Sequence, residues 1–566
     1  MNPIKRASRP AVVWVFVVVA LFAWLGTRGL NEPDETRYAE IGREMAASGD
    51  WLIPYLNGFE HFQKPPFLYW MTALAFRLFG VNEWAARLPS ALTALGTLYL
   101  TWRMAATLFG SSVQVTAVLL LLSTLEFTLL SRTLTPDMTL TFWITLAIAC
   151  LVELIAGRGK SAWRVGFFVA MGFGFLAKGP MALLVPISAA LCWQRGLRRR
   201  GQTIHLGWTS GLLITSSLAA SWFVLVTLRH PALIQYFLEY ELRDRLFSTV
   251  HGRSQPFWFF IPVLLIGMLP WTPLLLAVVY DAWKALRAKT EVKAESCLLG
   301  GWILPPLLVL SLSGSKLATY VLPLFPPLAL LMARWCVTPS AESELRQAVR
   351  WGLICSLVLT IALPLVLFGM RIYDPRYRDV WFGGAFTILF VLLICLFSAL
   401  LSGIGQRQRT SNLILALGCG AILLWVGLLT QADRILVQEG GSVRPLVRMI
   451  EATPGADGAE VFALGVRGNG LEFYLQRLVS RTEGQSSIVL PVNKAQDRRL
   501  IHSQQSFLST MGPRPAVGLV APSFQDPGGT VPGWHVLGRS GRHLLIANDA
   551  FLAKGSPLDS QVVPTP

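Results

Sequence analysis

The residues of this chain that can do chemistry stand in short charged motifs between long apolar runs. They are Asp34-Glu35 in NEPDETRYAEIGREM, Lys64 in HFQKPP, Asp137 in LTPDMTL, Lys178 in FLAKGP, Arg245 in ELRDRLF and Lys316 in SGSKLATY. Such cations suit an anionic partner, because arginine offers phosphate oxygens a planar fork and lysine a point charge. Carboxylates can orient a bound group or take its proton. A charged side chain at mid-membrane costs roughly 2.5–3.5 kcal/mol on insertion scales, so it is functional or paired. These motifs lie near the ends of apolar runs, where the cost is lower. The argument therefore rests on six of them, from distant segments, sharing one side.

The runs that must position them are long. AVVWVFVVVALFAWLG, VTAVLLLLSTLEFTLL and VWFGGAFTILFVLLICLFSALL carry almost no charge. The whole chain of 566 residues is 53% hydrophobic and 14% charged, where a soluble chain would be about a quarter charged. Stretches of about 18 apolar residues read as transmembrane helices. Spans are expected near 11–29, 86–107, 112–131, 138–157, 163–178, 179–194, 207–228, 256–282, 296–313, 318–336, 350–370, 380–402 and 411–431, about thirteen in all. The first follows Lys5, Arg6 and Arg9 as a signal peptide would, but WLGTRGLNEPDE lacks a small-x-small cleavage site, so an uncleaved span is expected. The seven cysteines lie in or beside apolar blocks without CxxC spacing and read as small hydrophobes rather than disulfides or metal ligands.

The net charge of +17 raises the question of nucleic acid. Its distribution excludes that partner, because basic residues cluster in alternate short loops, as cytoplasmic loops do. With the N-terminus inside, these loops hold Arg158, Lys160 and Arg164, then Arg195 to Arg200, Lys284 to Lys293, Arg334 with Arg346, and Arg407 with Arg409. All six motifs then fall on the outer side. An odd number of spans also puts the tail, 432–566, outside. There 460–466, 516–522 and the hairpin-like 534–548 read as strands, and 442–452 and 494–511 as helices. A small α/β domain follows, separate from a membrane domain over 1–431. LGVRGNGLEF lacks a GxGxxG fingerprint, so no nucleotide site is expected there.

The first outer loop, 30–85, is too long for a connector. Pro33 and two acids open a short helix there, and FLYWMTALAFRLFG (67–80) reads as a helix in the interface plane with Arg77 pointing out. DETRYAEIGREMAASGDWLIPYLNG followed by FQKPPFLYW strongly resembles the opening of the ArnT-like aminoarabinose transferases. These are polyprenyl-phosphate-dependent glycosyltransferases of the GT-C superfamily, related to protein O-mannosyltransferases. The likeness continues through TPDMTLTF, FLAKGPMALLVP, QPFWFFIPVLLIGMLPW and SGSKLATYVLPLFPPLALLMA, and so covers about the first 335 residues.

The resemblance implies a GT-C membrane fold and an inverting transfer at the periplasmic face of a bacterial inner membrane. A sugar, 4-amino-4-deoxy-L-arabinose, would leave undecaprenyl phosphate for a lipid A phosphate. The lipid-linked sugar would be the donor, with no metal site indicated and a monomer expected. Cations stabilise the charge that grows on the departing phosphate, a task open to Lys64, Arg245, Arg253 and Lys316. Asp34 matches the family's first-loop carboxylate and Asp137 its second. Arg37 and Tyr38, one turn beyond Asp34, would line the same cavity. Tyr320, four residues after Lys316, would share its helical face.

Blander readings stand beside these. Asp34 can cap a helix after Pro33, and Asp137 can do the same after Pro136. Glu35 is open between an ion pair with Arg37 and a functional part. Lys64 and Lys178 can simply reach the interface. His61 can be an ordinary hydrogen-bonded histidine. Gln63 stands where ArnT-like proteins carry a glutamate, which removes a potential cation ligand and leaves donor and acceptor open. A related enzyme moving a hexose onto a glycan or protein is the nearest alternative. A multi-span transporter is the alternative of another class, but no repeat relates the two halves. A structural subunit would leave the acidic loop and KPP unexplained.

Overall fold

The computed structural model describes residues 3–157, 161–199, 205–243, 254–288, 293–337, 417–427, 441–453, 456–466, 469–482, 500–501, 504–521, 532–540 and 543–553, with a few isolated positions besides. The expected spans near 350–370 and 380–402 lie outside these residues, as do Arg245 and Arg253.

Helix α1, Pro3–Phe22, leads to the outer loop. It ends seven residues before the expected limit because Arg132 donates to the carbonyls of Ala20 at 2.6 Å and Leu21 at 3.1 Å, as a cation at a helix C-terminus can. The loop carries α2, Asp34–Ser48, the two-residue strands β1, Tyr55–Leu56, and β2, Phe59–Glu60, and α3, Phe67–Phe79. Helix α2 has Asp34 and Glu35 in its first turn, which favour its positive end. It stops at Gly49, whose φ of 75° is the left-handed conformation that closes a helix, with its N–H on the Met45 carbonyl. Arg77 is exposed, as expected, and donates to the Ala46 carbonyl over the Trp51 ring.

The membrane part continues with α4, Glu83–Phe109, α5, Gln114–Leu122, and α6, Leu125–Ser131. It goes on through α7, Pro136–Ile155, α8, Ser161–Lys178, α9, Met181–Arg198, and α10, Trp208–Arg229. Among the described residues four helices are long and apolar enough to cross a membrane: Pro136–Leu154, Trp208–Arg229, Ala294–Leu312 and Ala318–Val337. Together α5 and α6 supply a fifth, bent by 73°. The bend follows from bonding: Trp271 donates to the Ser123 hydroxyl at 2.7 Å, Trp425 to the Ser123 carbonyl, and Leu125 N–H to the Leu269 carbonyl. A broken helix inside a bundle persists when neighbours take its freed backbone groups. The expected span 256–282 is likewise two helices, Phe260–Gly267 and Thr272–Arg287. The span expected at 318–336 opens as a 3-10 segment, Ala318–Leu324.

Helix α7 is the buried hub, packed on α4, α8, α9 and that 3-10 segment. Helix α10 leaves Leu213, Leu225 and Leu228 exposed, an apolar surface suited to lipid.

Among the described residues the C-terminal unit is a six-stranded sheet in the order β5-β4-β3-β6-β8-β7. The strands are β3, Glu460–Leu464, β4, Ser480–Thr482, β5, Leu500–Ile501, β6, Ala516–Val520, β7, Trp534–Ser540, and β8, His543–Asn548. β3 runs parallel to β4 and β6, while β8 is antiparallel to β6 and β7. Of the helix expected over 494–511, Gln504–Met511 is helical and Leu500–Ile501 is strand β5, while 494–499 and 502–503 lie outside the described residues. Helix Asn469–Leu475 forms where the glycines of LGVRGNGLEF suggested only the absence of a nucleotide site.

Candidate active site

Two clusters act on Tyr38 of α2, whose hydroxyl senses the charges of both. In the first, Asp34 is the first residue of α2, after Pro33 in the capping position, and no side chain caps the helix. Its carboxylate instead accepts a hydrogen bond from Arg37, and 56% of its side chain stays exposed. The Arg37 guanidinium lies 5.0 Å from the centre of the Tyr38 ring, which stands 6.2 Å from Tyr69.

In the second cluster Asp137 is the second residue of α7, behind Pro136. Proline suits a helix's first position, where the missing N–H costs nothing. Asp137 accepts a hydrogen bond from the Lys178 ammonium, which ends α8 and also stands 4.7 Å over the Tyr320 ring. Tyr38 joins the clusters. Burial raises its hydroxyl pKa, Arg37 and Lys178 pull it down, and Asp34 and Asp137 push it up.

Other expected residues are placed differently. Glu35 does not pair with Arg37. It is buried, and Arg87 reaches it at 2.8 and 2.9 Å, Arg28 at 3.2 Å and the Leu134 N–H at 2.9 Å. Burial alone would raise this carboxyl, but Arg28 and Arg87 hold it down at about 2. Lys316 shares no helical face with Tyr320, because it precedes the 3-10 segment. Its ammonium is committed to the carbonyls of Ser313 at 2.6 Å and Gln255 at 2.9 Å. Lys178, not Lys316, meets Tyr320. Lys64 is half-buried on the loop entering α3, and His61 beside it is buried. Among the described residues no group of three or more His, Cys, Asp or Glu forms a metal-ligand set.

Sequence reasoning missed the second layer. Arg87 lies inside an expected apolar span, with its guanidinium also on the carbonyls of Leu25, Arg28 and Gly29. Glu126, in the run read as nearly uncharged, has a buried oxygen with no hydrogen-bond partner among the described residues. An acid interrupting leucines was the available signal.

The architecture, and part of the sequence, are similar to those of known proteins. Residues 63–222 match the family model described as dolichyl-phosphate-mannose-protein mannosyltransferase. The undecaprenyl phosphate-alpha-4-amino-4-deoxy-L-arabinose arabinosyl transferase of Edwardsiella ictaluri is 34% identical over 335 residues, 58% of this chain and 59% of that enzyme. The Yersinia pestis (strain Pestoides F) enzyme of the same name is 30% identical over 394 residues, 67% of this chain and 70% of its own. This chain belongs to that arabinosyl transferase family, ArnT.

The match spans less than two thirds of the length of the first of these relatives. The fold match is wider. The crystal structure of ArnT from Cupriavidus metallidurans bound to undecaprenyl phosphate superposes with a TM-score of 0.80 at 25% identity, covering 97% of this chain and 99% of that one. Its apo form gives 0.78. The helical membrane part with an appended sheet is thus the ArnT fold, and both clusters lie on it.

Proposed function

We propose that this ArnT-family chain is an inverting glycosyltransferase that moves 4-amino-4-deoxy-L-arabinose from undecaprenyl phosphate to a phosphate of lipid A. One observation carries the reading: an exposed carboxylate, Asp34, and a cation on an aromatic face, Lys178 over Tyr320, converge on Tyr38 in the fold of an enzyme crystallised with undecaprenyl phosphate. The reaction breaks the bond between the sugar's anomeric carbon and the lipid phosphate oxygen. It forms the bond from that carbon to an acceptor phosphate oxygen on the opposite face. The departing phosphate gains charge, which pre-placed cations stabilise without reorganising. Lys178 is such a cation, and Lys64 and Arg245 are assigned to the same task. Asp34, held by Arg37, positions the acceptor. An acceptor phosphate is already anionic, so no proton need be removed.

Organisation follows the same reading. Residues 1–431 form the membrane catalytic part and 432–566 the appended domain, with the N-terminus cytoplasmic and the tail periplasmic in the inner membrane of a bacterium. Mass spectrometry of lipid A from cells with and without the gene tests the function. A pentosamine mass difference is expected. A hexose on another acceptor would instead select the related hexosyltransferase reading, and no envelope change would end the proposal.

A further inference from the structure

Residues 32 and 33, which lead directly into Asp34, are held by the C-terminal unit at three points. Glu32 N–H donates to the Gly441 carbonyl at 2.6 Å. Gly470 N–H, at the start of helix Asn469–Leu475, donates to the Glu32 carboxyl at 2.6 Å. The Asn469 side chain faces the Pro33 carbonyl at 3.4 Å. A Cβ at Gly470 would meet Val443 Cγ2 at 2.6 Å and Glu32 Oε1 at 2.9 Å, so the two segments approach as closely as backbone allows. Further along, Tyr474 accepts from Leu30 N–H at 2.8 Å, and the Asn57 side chain pairs with both backbone groups of Val479.

We propose that the C-terminal unit is a clamp on the catalytic loop, in which Glu32, gripped by Gly470, is a positioning residue that sets where Asp34 stands. This rests on the catalytic reading of Asp34. Sequence distance hides the device, since more than 400 residues separate its halves and the glycines of RGNGLEF look like a loop. Rigid support of this kind decides whether a catalytic group sits within a productive geometry.

The clamp also responds to pH. Glu32 faces the Thr36 hydroxyl on α2, Gly470 N–H and Glu472 on helix Asn469–Leu475, and Arg481 on β4. Burial holds its carboxyl up at about 7, opposed by Thr36, Gly470 and Arg481 and aided by Glu472. The Gly470 N–H contact itself favours the charged carboxylate, but burial outweighs it, so the packed arrangement around Glu32 is fully stabilised below the ordinary carboxyl value and loosens as pH rises from there through about 7.

The test uses the full chain in nanodiscs, with four variants and two readouts. Glu32→Ala and Gly470→Ala are expected to lower kcat about tenfold while KM for the lipid-linked donor stays within about threefold, the mark of lost positioning. Amide-exchange protection of residues 35–38 should fall with it. Glu32→Gln keeps an oxygen for Gly470 N–H, so it should retain kcat but lose the drop in protection expected of the natural chain as pH rises through about 7. Unchanged kcat and protection in both alanine variants overturns the clamp, and so does lost protection with full turnover. If Glu32→Ala does not fold, a pH step that persists in Glu32→Gln overturns it alone. Asp34→Asn separates the two readings, since it should lower kcat with protection intact. If Asp34→Asn turns over normally, the catalytic reading fails while the protection data still judge the clamp.

Discussion

Arg87 grips both oxygens of Glu35, at 2.8 and 2.9 Å, from 52 residues away, and neither side chain is more than 1% exposed. The pair ties α4 to the first turn of α2, one residue past Asp34. Removing one member of a buried pair leaves the other charged and uncompensated, which costs about 3–5 kcal/mol. Glu35→Ala should therefore lower the melting temperature of the detergent-solubilised protein by many degrees. With the Glu35 carboxyl held at about 2, its contribution is complete above the ordinary carboxyl value and lost as pH falls from there towards 2. A thermal scan showing no loss in that acid window for the natural chain, or little destabilisation in the variant, would count against the pair as a structural anchor.

The Lys178 ammonium answers to two partners, Asp137 and the Tyr320 ring. Losing a charge-assisted contact costs about 1.5–3 kcal/mol, so Lys178→Met should reduce kcat/KM roughly tenfold or more. Asp137→Asn should fall by a similar factor. Residues that act as one unit are not additive, so the double variant should lose far less than the product of the single losses. Independent losses would show that the contact is incidental to turnover.

Lys64 and Arg245 are assigned to the lipid phosphate on residue type and family likeness, the second from outside the described residues. Each alanine substitution should weaken both donor use and undecaprenyl-phosphate binding by about tenfold. Lipid affinity measured on the purified variants decides the matter, and unchanged affinity and turnover in both would remove them from the phosphate site.

The first cluster was readable because its parts are local. DETRY places Asp34, Arg37 and Tyr38 within one helical turn, and Pro33 announces the start. Asp137, Lys178 and Tyr320 were readable singly, as polar residues at the ends of apolar runs, but their meeting was not. Partner choice across the bundle depends on packing that spacing does not encode. Hence the sequence leaves Glu35 open between an ion pair with its neighbour Arg37 and a functional part, while in the fold a buried arginine from an apolar span takes it. Lys316 and Tyr320 share a face only at 3.6 residues per turn, but Lys316 lies before the helix and Tyr320 in a 3-10 segment. The bend at Ser123 was hidden for a similar reason, because Trp271 and Trp425 that support it lie far along the chain.

Sidedness has a direct check. If 432–566 lies outside the cytoplasm, a reporter active only there, fused after Pro566, should be active in a correctly inserted protein. An inactive fusion would mean the span count is wrong by one.

Asp34 is where two explanations part most cleanly. As a helix cap it should tolerate Asn, which caps about as well as Asp. Yet Pro33 holds the capping position, and the Asp34 carboxylate turns to Arg37 with over half its surface exposed. An exposed, oriented carboxylate at the head of a buried helix is free to meet a substrate. Asp34→Asn preserves shape and removes charge, so turnover should fall by roughly a hundredfold if that charge activates a hydroxyl acceptor. An anionic phosphate acceptor needs no base, and the loss should then be smaller, reflecting position alone. The same substitution also leaves Arg37 without its anion, so Arg37→Ala should produce a parallel but weaker defect. Comparing the two losses on phosphate and hydroxyl acceptors reports the acceptor class. Full modification of lipid A by Asp34→Asn at matched expression would remove Asp34 from the chemistry.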